Sequence, residues 1–190
     1  MLELPMKVQL PIRFDQEKLI QDWSLLEEAE WVTHFVKQNY QGDWSVLPLT
    51  AQRGREHPIL MASAVPGDKD FVLTRFIEKT PYFQWVLDQF HCPKFSIRLM
   101  RLGPESEIKE HRDYDLDLEE VRLHIPILTN DQVFFYLNQE RVLMQPGECW
   151  YLKLSEPHRV VNQSSSPRIH LVMDLGLNDW LQKLICESNN

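Results

Sequence analysis

The segment Glu110-His111-Arg112-Asp113 sets an imidazole and a carboxylate two residues apart. On a strand, two such side chains leave from one face. A second imidazole, His158, follows Pro157 just before another strand-like run, and Arg168 comes ten residues later. Two imidazoles and one carboxylate bound to one face of a metal leave its other face open, which is the donor set of non-haem Fe(II) oxygenases. A buried Arg at position 168 would take the carboxylate of an acidic cosubstrate in a bidentate pair. HRD alone also fits a surface His with an Asp capping a turn. The metal reading comes from the concurrence of His111, Asp113, His158 and Arg168 within one β-rich half. The same donors suit catalytic zinc, but a zinc hydrolase needs a general base beside its water and no HExxH helix is present. No Cys lies near either motif, which disfavours soft-ligand metals.

Alternation adds candidates around these four. Arg122, His124 and Pro126 share one face of VRLHIPIL, and Val121, Leu123, Ile125 and Ile127 share the other. The apolar face belongs in a sheet-to-sheet core or under helices, so Arg122 and His124 would look into a barrel mouth. Two such groups on an inward face are costly without an anion to pair with. A 2-oxo acid carboxylate would serve, and Glu119, Glu120 or a neighbouring strand would serve Arg122 equally. His158, Val160 and Asn162 share a face, as do Arg168, His170 and Val172. Asn162 would support the site or bind a carboxylate, and His170 reads as a satisfied core imidazole. His34, His57 and His91 lie outside the constellation. Arg98 and Arg101 sit on opposite faces of one strand, so at most one points inward, where it would bind the carboxylate of an amino-acid substrate. Trp44 lies in a segment that would line the mouth or join the core.

These residues need a scaffold, and the second half of the chain supplies one. From Lys94 onward eight short β-rich runs, from SIRLMRL to RIHLVMDL, are separated by polar turns. Such even spacing predicts a jelly-roll sandwich or barrel. Ahead of it, KVQLPIRF reads as an edge strand because Pro11 suits an edge. Asp15 caps a helix running to about Glu28, and Pro81 opens a second helix running to about His91. Residues 51–70 read as a loop, and Asn178 to Cys186 as a closing helix. The expected organisation is one domain: a strand and helix support region over 1–93, a jelly-roll core over 94–176 and a C-terminal helix over 177–190.

The chain has 190 residues with 43% hydrophobic and 25% charged content, ordinary for a soluble domain with a sizeable core. A net charge of −8 with no basic cluster argues against nucleic acid or an anionic membrane as a partner. A small-molecule or peptide substrate is the expected partner. Cys92, Cys149 and Cys186 are odd in number and form no CxxC pair, which points to free thiols in a reducing cytoplasm. The N-terminal MLELPMKVQLPIRF lacks the apolar stretch of a signal peptide, and no apolar run is long enough to span a membrane.

The stretches SIRLMRLGPESEIKEHRDYD, VRLHIPILTNDQVFFYLNQERVLMQPGECWYLKLSEPHRVVNQS and SPRIHLVMDL resemble the aspartyl/asparaginyl β-hydroxylase family of Fe(II)/2-oxoglutarate dioxygenases. The resemblance spans about residues 96–175. It implies a double-stranded β-helix of cupin-like type, mainly β with flanking helices. It also implies Fe(II), with 2-oxoglutarate and O2 as cosubstrates. An amino-acid side chain would be hydroxylated, free or in a peptide or carrier-bound form, with release of succinate and CO2. Carried over, His111, Asp113 and His158 would hold iron, and Arg168 would bind 2-oxoglutarate with Arg122 and His124 assisting. Met100 departs from members that carry a small polar residue there to help hold the cosubstrate. The rival reading is a non-catalytic jelly-roll module that binds a small molecule, which need not keep all four residues.

Overall fold

Alternating β-branched and aromatic runs fold as strands where one face can be buried. The computed structural model describes residues 3–189. Its first half contains β1 (Lys7–Arg13), α1 (Gln16–Ser24), β2 (Val32–Thr33), β3 (Tyr40–Gln41), β4 (Trp44–Pro48), β5 (Thr50–Gln52), α2 (Pro58–Ala62), β6 (Phe71–Leu73) and α3 (Pro81–Asp88). Eight strands follow: β7 (Lys94–Leu102), β8 (Ser106–His111), β9 (Glu120–Leu128), β10 (Val133–Leu137), β11 (Glu140–Val142), β12 (Glu148–Leu152), β13 (His158–Asn162) and β14 (Arg168–Gly176). The helix α4 (Asp179–Glu187) comes last.

The strands form a seven-stranded sheet in the order β1-β12-β9-β14-β7-β4-β2 and a five-stranded sheet in the order β11-β10-β13-β8-β3. A separate pair, β5-β6, stands beside them. All pairings in the two large sheets are antiparallel, and consecutive strands such as β7 and β8 fall in different sheets. That alternation between two facing sheets is the double-stranded β-helix, or jelly roll. The first half contributes β1, β2 and β4 to one sheet and β3 to the other. Pro11 lies in edge strand β1, where the pairing with β12 slips between Gln9 and Arg13. An edge tolerates the donor that Pro lacks.

Two apolar layers follow from the alternation. Val121, Leu123, Ile125 and Ile127 pack outward with Leu19, Phe83 and Leu181, under α1, α3 and α4. The opposite face meets the second sheet through Leu102, Ile108, Phe135, Val160 and Val172. Each fully buried Leu, Ile, Val or Phe contributes about 1.5–3 kcal/mol by leaving water. Asp15 caps α1 by accepting the Lys18 amide at 3.1 Å. That helix stops at Ser24, short of Glu28, and Leu26 is buried from the turn that follows. Residues 51–70 hold more structure than a loop. Pro58 opens α2, and His57 Nδ1 accepts the Ile59 amide at 3.3 Å.

One glycine matters for the site. Gly42 joins β3 in one sheet to β4 in the other with φ of +87°. A Cβ there would stand 2.2 Å from Ser106 Oγ, so the crossing that delivers Trp44 needs a residue with no side chain.

Candidate active site

The three expected donors meet where β8 ends and β13 begins. His111 and His158 are paired across those strands, with ring centroids 4.3 Å apart. Asp113 lies beyond the end of β8, so it does not share the strand face that the HxD spacing predicts. Its position comes instead from its own amide, which donates to Leu154 O at 2.9 Å. His111 Nδ1 lies 2.8 Å from Lys109 O, and His158 Nδ1 lies 3.0 Å from Glu156 O. A carbonyl only accepts, so each Nδ1 carries the proton and each Nε2 keeps its lone pair for a metal. The two Nε2 atoms stand 3.7 and 3.8 Å from the Asp113 carboxylate oxygens. All three ligand atoms lie within 4.8 Å of one another. Burial pushes His158 down to about 4, so the imidazole is neutral near pH 7, as ligation requires.

An ion-pair chain stands behind this triad. Arg122 donates one guanidinium nitrogen to Asp113, and donates Nε and Nη2 to Asp174 at 2.6 and 3.0 Å. Asp174 also accepts from Arg98 Nη1 at 2.9 Å. Burial alone would raise the Asp174 pKa, but Arg122 and Arg98 beside it hold it well below the usual carboxylate range. Arg122 resists its own burial because Asp174 and Asp113 hold its proton. The resemblance implies that Arg122 assists a cosubstrate; the geometry gives it two carboxylates of the chain itself.

Arg168 has no such partner. It is buried, its Nη2 meets His170 Nδ1 at 2.8 Å, and its Nε has no partner among the described residues. Burial pulls its pKa down to about 9. A buried guanidinium with no carboxylate is costly and is suited to one brought by a ligand. His124 Nε2 and Trp44 Nε1 are likewise buried and unpartnered. Arg168, His124, Trp44 and the three candidate donors His111, Asp113 and His158 all line one cavity of about 420 Å³. That volume lies in the usual range for small-molecule sites.

Arg98 also lines this cavity, whereas Arg101 lies on the other face of β7. There Arg101 stacks over Trp31 at 4.6 Å and donates to Ser45 Oγ at 3.0 Å. Met100 lines the cavity with an apolar side chain. Asn162 is a tie between loops, donating to Leu102, Gly103 and Ser166 carbonyls. The sequence reading has no place for Asp174 and sets His34 outside the constellation; the structure puts both at the site. Asp174 continues the Arg168, His170, Val172 face by one more step of two, so alternation could have found it. His34 stacks flat on Trp44 at 3.5 Å and lines the cavity, with burial pushing it down to about 4. No periodicity in its segment signals that position.

A double-stranded β-helix with two imidazoles and one carboxylate at its mouth defines a class of metal-binding β proteins. Within that class, the family model described as aspartyl/asparaginyl beta-hydroxylase matches residues 12–176, and the chain belongs to that family. It is 28% identical over 167 residues to L-proline cis-4-hydroxylase of Rhizobium meliloti (strain 1021), covering 86% of this chain and 58% of the relative. It is 27% identical over 177 residues to L-proline cis-3-hydroxylase 2 of a Streptomyces species, covering 88% and 59%. The chain thus spans about three-fifths of the length of these curated relatives. Among solved structures, a 2OG-Fe(II) oxygenase family oxidoreductase from Burkholderia pseudomallei has the same fold. Its TM-score is 0.55 at 16% identity, covering 90% of this chain and 85% of that one. Among the described residues, no helix is long and apolar enough to cross a membrane.

Proposed function

We propose that this protein is an Fe(II)/2-oxoglutarate-dependent dioxygenase that hydroxylates an amino acid. The observation that carries the reading is the buried Arg168, with no carboxylate partner among the described residues, in the same cavity as three convergent candidate metal donors. His111, Asp113 and His158 would hold Fe(II), which supplies oxygen activation when bound. Overall, a substrate C–H, O2 and 2-oxoglutarate give C–OH, succinate and CO2. The chain's own part is placement. Arg168 anchors the far carboxylate of 2-oxoglutarate, and the inter-sheet walls limit access of water. Arg98 meets the α-carboxylate of the substrate, with Trp44 and His34 forming the adjoining wall. A free amino acid is the favoured substrate class, with L-proline first because both curated relatives are named for it.

Anaerobic titration of Fe(II)-loaded protein with 2-oxoglutarate tests the cofactor reading. It should raise a weak visible charge-transfer band that Arg168→Met removes. Fe(II) binding with no band and no 2-oxoglutarate affinity would refute it. A binding module would take the ligand without forming succinate in air.

A further inference from the structure

Hydrogen-bond directions at the Arg168 end of the cavity are fixed by one donor-only group. A guanidinium only donates. Its Nη2 contacts His170 Nδ1 at 2.8 Å, so that Nδ1 carries a lone pair. His124 Nδ1 lies 3.2 Å from the same atom. Two lone pairs cannot face each other there, so His124 Nδ1 carries a proton and donates. A neutral imidazole has one N–H. His124 Nε2 is therefore a bare acceptor, buried and unpartnered. Arg168 Nε is a buried donor without an acceptor among the described residues, and Arg168 and His124 line the same cavity and share His170 Nδ1 as a neighbour. A carboxylate satisfies Arg168, but its oxygens repel the His124 lone pair. One added proton resolves the conflict.

We infer that a carboxylate ligand binds at Arg168 together with one proton, shared between the ligand and His124 Nε2. This rests on the proposed dioxygenase reading. The Nε2 lone pair forms the new N–H bond, and the proton leaves a buffer acid or water. The ligand-free protein has no use for that proton. Burial, then Arg168, Arg122, His158 and Arg98, hold His124 well below its ordinary range. Every element packed on His124 accounts for its charges. Arg122 shares its strand, Arg168, His170 and Asp174 lie on β14, Arg98 on β7 and His158 on β13. Asp174 is engaged by Arg122 and Arg98. Glu148 on β12 accepts from Trp150 Nε1 and the Gln145 amide. The Phe135 ring packs edge-on to His124 at 6.0 Å and stacks on His158 at 6.3 Å, so a phenyl group adjoins both imidazoles. The ligand carboxylate is the counter-charge that His124 lacks. Its arrival raises the imidazole's proton affinity, and by linkage the proton raises the ligand's affinity.

Calorimetry of 2-oxoglutarate binding to the Mn(II)-loaded chain, in buffers of different ionisation enthalpy near neutral pH, counts the protons. Wild type should take up about one, and its Kd should rise about tenfold per pH unit above neutrality. His124→Gln offers an amide N–H without titrating, so it should bind with no uptake. Nitrogen-15 imidazole spectra of the Zn(II)-loaded wild type give the same decision without a variant: two protonated nitrogens on His124 in the complex. Binding without uptake, unchanged uptake in His124→Gln, or a lone Nδ1 proton in the complex would overturn the inference and leave the dioxygenase reading standing. Failure of the metal-loaded wild type to bind 2-oxoglutarate at all would instead remove that reading.

Discussion

Asp174→Asn removes the one carboxylate that two partly buried guanidinium groups share. Asp174 is 5% exposed and accepts at 2.6 and 3.0 Å from Arg122 and at 2.9 Å from Arg98. Asn keeps the volume but loses the charge, and it cannot accept from all three nitrogens. Breaking a buried pair by removing one partner costs about 3–5 kcal/mol. Arg122 keeps Asp113 as a partner, so the uncompensated charge falls mainly on Arg98 and the cost lies toward the lower end of that range. Domains have about 5–15 kcal/mol in total, so the variant would be marginal. For a chain of this size the shift in Tm is roughly 6–20 °C, at about 2–4 °C per kcal/mol. Urea denaturation should show a lower midpoint with an unchanged m value. The pH dependence has a definite sign. The folded pKa of Asp174 lies below its unfolded value, near 3.9. Its contribution is therefore complete well above pH 4 and is lost as pH falls toward the folded pKa. Wild type and variant should converge in strong acid. A variant within about 1 kcal/mol of wild type at neutral pH, below the range for a buried pair, would refute the reasoning.

Three further outcomes follow from the same geometry. Arg122→Gln leaves Asp113 without its guanidinium support, and metal affinity should fall by about 10–100-fold by competition titration. Arg168→Met removes a buried cation that the ligand-free chain does not pair, so it should abolish 2-oxoglutarate binding while thermal unfolding without ligand shows no loss of stability. Gly42→Ala forces a Cβ against Ser106 at a positive φ and should cost about 1–3 kcal/mol in urea denaturation.

Much of the barrel is legible because strands advertise themselves by alternation. All eight β-rich runs after Lys94 appear as β7 to β14. The inward face of β9 was readable for the same reason, since a period of two leaves Arg122 and His124 opposite four apolar residues. Partner choice was not. Arg122 meets Asp174 because those residues stand opposite each other in the β9–β14 pairing, between strands far apart in sequence. Periodicity names a face but carries no register. Asp113 shows a second limit: the HxD spacing implied a common strand, yet a backbone hydrogen bond from beyond the strand end places the carboxylate. His34 shows a third, because tertiary stacking on Trp44 alone brings it to the cavity.

The most direct test is aerobic turnover of the Fe(II)-loaded chain with 2-oxoglutarate across the free amino acids, beginning with L-proline, in 18O2. Succinate should form only with Fe(II) and the correct amino acid, matched one for one by product carrying a single 18O atom, and both should vanish in His158→Ala. Succinate formation that survives in His158→Ala, or hydroxylated product whose oxygen comes from water, would contradict the account.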